Sequence, residues 1–337
     1  RARALDRARL DIFGYQFRAP DYRQILDWAK ALGTTPEEIV ERLEDSSTEI
    51  GFGDDPRSIV FAVGDGAMTS LVWDFERLPL VPTTWQEGLL LCAAAFVGRF
   101  GSAGRWADPP SALRPRLPDL KLLAVGSCRL DPLDLTGVPQ LRELQCFKNG
   151  LKQLDLSPVP ALTTLMCHAN WLTALDLAPV PSLETLRCGF NRLAELDLSP
   201  VRKLTFLDCE GNGFMSALDL GPVPRLSTLF CSHNSIAELD LSPVPQLVVL
   251  HCSMNSLANL DLSSVPQLTT LYCASNRLTA LDLSPVPRLT HLNCRINKLT
   301  ELDLSPVQCL RHLSCDQQVI VRNAPPALRV DHTGLLL

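Results

Sequence analysis

The stretch Leu141–Leu156 reads L-R-E-L-Q-C-F-K-N-G-L-K-Q-L-D-L and returns almost unchanged every 21 residues or so. Ten copies align, their first leucines running from Leu120 through Leu141 and Leu162 to Leu310. The shared pattern is L-x-x-L-x-C-x-x-N-x-L-x-x-L-D-L-S-P-V-P-x. A unit this short cannot bury its own leucines. Stacked copies can, and they build one continuous core. The copies then supply successive strands about 4.8 Å apart.

Three polar or sulfur columns follow from the register. Nine of the twelve cysteines, from Cys146 to Cys315, occupy one repeat position. No C-x-x-C pair occurs, so the column reads as buried free thiols rather than a metal site, and points to a reducing cytosol. The asparagines, from Asn149 to Asn297, fall where the chain leaves the strand. An inward amide there satisfies backbone groups that no sheet reaches. The aspartates of L-D-L, from Asp134 to Asp303, stack like charges. An Asx bond to the backbone two residues on holds each one. A calcium ladder is the alternative, but it needs more oxygen ligands and glycine-rich loops.

This pattern resembles the leucine-rich repeat, and within it the bacterial 21-residue class. The resemblance implies an α/β-solenoid: a right-handed leucine-rich-repeat solenoid with a parallel β-sheet on its concave side. The second half of each repeat should add a short extended segment on the outer side. Repeat five carries one extra residue within Gly211–Ser216 and should bulge there. The array closes where Gln318 replaces asparagine, and the segment beyond it should cover the last edge.

The variable positions around each strand are where chemistry can sit. They carry Phe147, Met166, Arg187, Phe190, Phe206, Phe230, His251, Tyr272, His291, Arg295 and His312, and these form the candidate partner-binding set. Just beyond the cysteines come also His168, His233, Met254 and Ile296. Aromatic clusters rimmed by polar groups mark protein contact sites. His291 and His312 stack one repeat apart. A zinc pair there lacks an evident third ligand, and no activated nucleophile lies beside the histidines. No cofactor, metal or catalytic residue is assigned.

Residues 1–110 have no such period and read as a small α+β domain. Helices are expected over residues 1–10, 21–31, 35–44 and 84–96, and a hairpin over 58–75. Residues 111–119 form a linker, 120–318 the ten repeats and 319–337 a C-terminal cap. Residues 29–38 resemble part of a Cro-type helix-turn-helix, but a net charge of −6 argues against nucleic acid. The hairpin-then-helix order is loosely similar to bacterial immunity domains. No nucleotide-binding or hydrolase motif occurs. The longest apolar run falls far short of the ~20 residues that span a membrane. The function expected is a cytoplasmic, non-enzymatic module that binds a partner protein on the concave face. The alternatives are an immunity or antitoxin protein acting through residues 1–110 and, last, an effector-like enzyme, for which no motif occurs.

Overall fold

The computed structural model describes residues 9–12, 15–18, 59–64, 67–74, 120–126, 131–213 and 215–331. The chain divides into two compact units, Arg1–Leu172 and Thr173–Leu337. The helices expected over 21–31, 35–44 and 84–96, the linker and Cys128 lie outside the described residues.

In the first unit, β1 (Arg9–Ile12) pairs antiparallel with β2 (Tyr15–Arg18). Arg9 and Leu10 are therefore in a strand, which corrects the helix expected through residue 10. The apolar and charged residues of 9–12 fit either period over so short a run, and pairing with β2 decides. β3 (Ile59–Gly64) and β4 (Ala67–Asp74) pair antiparallel, as the β-rich runs predict, with a register shift between Ala62 and Val63. β4 then lies parallel to β5 (Leu122–Gly126), with Leu71 opposite Leu123. The hairpin thus continues the repeat sheet and pairs what would otherwise be an open edge. β6 (Glu143–Gln145) and β7 (Thr164–Met166) follow in parallel register.

The second unit holds β8 (Thr185–Arg187), β9 (Phe206–Asp208), β10 (Thr228–Phe230), β11 (Val249–His251), β12 (Thr270–Tyr272) and β13 (His291–Asn293). Each is three residues long with a buried leucine at its centre, and Leu229, Leu250, Leu271 and Leu292 stand in register. β14 (Glu301–Asp303) leaves this order and pairs with β16 (Ile320–Arg322). β15 (His312–Ser314) pairs on one side with β13 and on the other with β17 (Arg329–Asp331). The C-terminal segment thus extends both ladders, and Val319 and Pro325 are buried beneath it.

The core is the stack of conserved repeat positions. Leu226, Leu229, Cys231, Val244 and Leu247 are wholly buried. Burying one leucine side chain stabilises by roughly 1.5–3 kcal/mol, so each repeat contributes only together with its neighbours. Among the described residues the L-D-L half forms a ladder at β14 alone, where β16 lies beside it. In the other repeats a Ser-Pro-Val-Pro-type turn follows the L-D-L segment. The turn closes on itself. Val244 N–H donates to the Leu241 carbonyl (3.1 Å) and Leu247 N–H to that of Val244 (3.0 Å).

The asparagines bridge adjacent repeats. Asn212 donates through Nδ2 to the carbonyls of Cys209 (3.0 Å) and Cys188 (3.2 Å), and its Oδ1 accepts from Leu193 N–H (3.0 Å). Asn170 makes the same set around Cys146, Cys167 and Leu151. Each amide thus satisfies orphan backbone groups on both sides of a repeat boundary. The extra residue of repeat five is absorbed between Asn212 and Met215, and Met215 takes the buried leucine position.

All nine aspartates of L-D-L make the expected Asx bond. Their Oδ1 atoms accept from the backbone two residues on at 2.8–3.0 Å, as in Asp197 with Ser199 and Asp240 with Ser242. Those bonds hold the Asp197, Asp240 and Asp261 carboxyls below the ordinary carboxylate value.

Candidate functional site: a stacked row on the strand face

Alternation along a strand places the residue before each cysteine opposite the buried leucine. Parallel register then makes a column of Arg187, Asp208, Phe230, His251, Tyr272 and Asn293. Phe206 stands in the neighbouring column, two residues before Asp208. The side chains close into one row. The Arg187 guanidinium lies 4.8 Å from the Phe206 ring centre. Phe206 meets Phe230 edge to face at 5.4 Å. Phe230 stacks on His251, and His251 on Tyr272, each pair at 4.4 Å.

These rings are half-buried. The burial comes from one another: strand spacing is close to stacking distance, so one ring covers the next. What remains open to solvent is a strip of ring edges. His251 sits between two rings, and burial pulls its pKa below the ordinary histidine value. His291 and His312 stack likewise at 4.7 Å, and Thr290 Oγ1 lies 2.9 Å from His291 Nδ1. Burial first, then the neighbouring His312 and Arg311, lowers the His291 pKa.

Acids interrupt the row. Burial pushes the Asp208 carboxyl up, offset by the Glu210 backbone N–H it accepts from at 3.2 Å and by Arg187. Burial, followed by the Asp208 charge, pushes Glu210 up as well, while His233 at 3.9 Å opposes it. The Nε atoms of Arg187 and Arg295 are buried without a hydrogen-bond partner among the described residues.

The first unit has its own smaller pair. Phe147 stacks on His168 at 4.9 Å with planes 8° apart, and Met166 lies half-buried on β7. Phe190 and Arg295 belong to the turn that leaves the strand, outside the stacked row.

That turn holds a feature the sequence does not announce. The residue before each asparagine adopts a left-handed backbone: Lys148, Ala169, Phe190, His233, Met254, Ser275 and Ile296 have φ between 51° and 56°, and Gly211 has 70°. Phe190, Met254 and Ile296 are 56%, 48% and 64% exposed there. Trp171, absent from the candidate set, is 51% exposed in the first unit. Among the described residues no three His, Cys, Asp or Glu side chains stand together to hold a metal ion. The cysteines of the repeat column are free and buried, and burial raises the thiols of Cys167 and Cys273 to about 12. Also among the described residues, no helix is long and apolar enough to cross a membrane.

Parallel three-residue strands, a leucine core and asparagine and cysteine ladders define a leucine-rich-repeat fold. The described repeats have the leucine-rich-repeat fold with a period of about 21 residues, like solved bacterial proteins of that fold. The chain is similar to the functional domain of InlJ from Listeria monocytogenes, which includes a cysteine ladder. Identity is 37% over 63% of this chain and 47% of that one, with a TM-score of 0.55. The chain therefore spans about half the length of that relative. It also shares its fold with the internalin inlF of Listeria monocytogenes (20% identity, 64% and 67% covered, TM-score 0.53). A third likeness is to TLR13 in its complex with ssRNA13 (22% identity, 64% and 39% covered, TM-score 0.51). No protein-family profile and no curated protein matches the chain at a significant level.

Proposed function

We propose that this chain is a non-enzymatic module that binds a partner protein on the strand face of residues 185–314. The row Arg187–Phe206–Phe230–His251–Tyr272 carries the reading. Scaffold positions repeat from copy to copy, whereas this strip changes at every step and groups its aromatic edges together. Edges of stacked rings offer apolar area that is already ordered, so little side-chain entropy is lost on binding. The β3–β4 hairpin extends the sheet, which supports a capping role for that part of residues 1–110. The exposed free thiol of Cys309 favours a cytoplasmic setting.

The test compares proteins captured from native lysate by the full chain, by Phe230→Ser/Tyr272→Ser, and by Glu238→Ser on the L-D-L side. A partner retained by Glu238→Ser and lost by the double variant, with both variants melting cooperatively, supports the reading. Retention by the double variant overturns it.

A further inference from the structure

In residues 173–331 the turns that leave the strands hold Arg192, Arg277, Arg295 and Lys298, while Arg202, Lys203, Arg225 and Arg288 lie in the Ser-Pro-Val-Pro-type turns and Arg322 on β16. The L-D-L half carries the exposed aspartate column together with Glu195, Glu238 and Glu301. On the strand half, Asp208 lies beside Arg187, Glu210 beside His233 and Asp316 against the Asn297 N–H, and Glu184 is exposed. The strand-exit turns of residues 190–298 themselves carry four basic side chains against one acid, Glu210. The basic residues that follow the asparagines, Arg192, Arg277 and Lys298, are all exposed.

The same turns hold the left-handed positions. The fold imposes φ near +55° there, and it imposes no side chain: Gly211 occupies the site at no steric cost. A β-branched residue in this conformation is an outlier. Ile296 accepts it at φ 52° while 64% exposed, and Met254 accepts it at φ 54° while 48% exposed. Neither side chain recovers the cost by burial within its own chain. The structure also leaves the Arg295 Nε, one residue from Ile296, without an acceptor among the described residues.

We infer that the strand-exit turns of residues 190–298 dock an acidic protein segment. Apolar side chains of that segment cover Met254 and Ile296, and its carboxylates meet Arg192, Arg277, Arg295 and Lys298. This deepens the partner-binding reading and rests on it. Charge complementarity sets the occupant's sign. Met254 and Ile296, which offer no ring for a base to stack on, favour a peptide chain at this part of the edge, whereas Phe190 and His233 present exposed rings, so a single-stranded nucleic acid is the competing occupant that the test must separate.

Three fluorescent probes test this on the full chain: a peptide of mixed Glu, Asp and Leu, the same peptide with Lys for its acids, and an oligothymidylate of equal charge. The acidic peptide binds, with affinity falling as salt rises, and the basic one does not. Arg192→Glu/Arg277→Glu/Lys298→Glu weakens the acidic peptide by roughly tenfold or more. Ile296→Gly weakens it about threefold while leaving the melting temperature unchanged or higher. Absence of acidic-peptide binding, or equal binding by both variants, overturns the inference, as does tighter binding of oligothymidylate. Loss of peptide only in Phe230→Ser/Tyr272→Ser overturns this edge while leaving the strand-face reading standing.

Discussion

The imidazole of His251 lies 4.4 Å from the ring of Tyr272, with the two planes inclined by 20°. Phe230 covers the opposite side of the same imidazole. A histidine so placed is harder to protonate than a free one, because the charge would lie between two rings and partly sheltered from water.

This placement makes the fold sensitive to mild acid. Burial lowers the His251 pKa in the folded chain, so the unfolded chain binds the proton more readily. The stability this group contributes is complete above the unfolded value of about 6.5, and is lost as pH falls from there through the folded value. Thermal melts at pH 7.5 and 5.5 should show a larger loss for wild type than for His251→Phe. Equal losses would remove His251 as the cause.

The asparagine ladder should be among the least replaceable features. Asn212 is wholly buried and serves groups in adjacent repeats. Asn212→Ala strands the Leu193 N–H and takes one of two donors from the Cys188 and Cys209 carbonyls, which Asn191 and Asn234 also serve, and should destabilise by about 1–3 kcal/mol. Urea unfolding of the pair measures this. A cost under about 1 kcal/mol would show that water replaces the amide.

Thiol reactivity should separate the cysteines cleanly. The ladder thiols from Cys146 to Cys294 are buried, and burial raises those of Cys146, Cys167, Cys231 and Cys294, whereas Cys309 is exposed. Brief alkylation of the native chain followed by peptide mapping should mark Cys309 and spare the ladder. Denaturant should then open every position. Rapid native labelling of Cys231 or Cys252 would contradict the packing described above.

Calcium should leave the aspartate column untouched. Each Oδ1 is already occupied by a backbone N–H, and Ser305 Oγ also donates to Asp303 Oδ2 at 3.0 Å. Too few oxygens converge for a six- to eight-coordinate ion. Titration calorimetry with calcium should give no heat beyond dilution, and chelators should not shift melting. A saturable heat signal would reopen the calcium ladder.

Much of the architecture was legible because a repeat states its own packing. Leu, Cys, Asn and Asp recur at constant spacing, and only stacking in register can bury the first two and satisfy the third. The Asx bond to Ser199 or Ser242 could be read from the short distance between aspartate and serine in the chain. The L-D-L half was expected only as a short extended segment, and leucine spacing alone could not show that, among the described residues, it pairs into a ladder at β14. The start of β1 was misread as helix because four residues carry too little period to choose.

The candidate site divides along the same line. The sequence by itself determined the core, the ladders and which positions vary, because these depend on residue type at a fixed repeat offset. Only the tertiary structure decided that Phe206, Phe230, His251 and Tyr272 cover one another, since strand spacing and side-chain rotation set whether rings stand apart or stack. It alone decided that Phe190, Met254 and Ile296 sit on left-handed backbone. That conformation comes from hydrogen bonds to the next repeat, as between Met254 N–H and the Ala274 carbonyl at 2.8 Å, and no local preference of methionine or isoleucine foretells it.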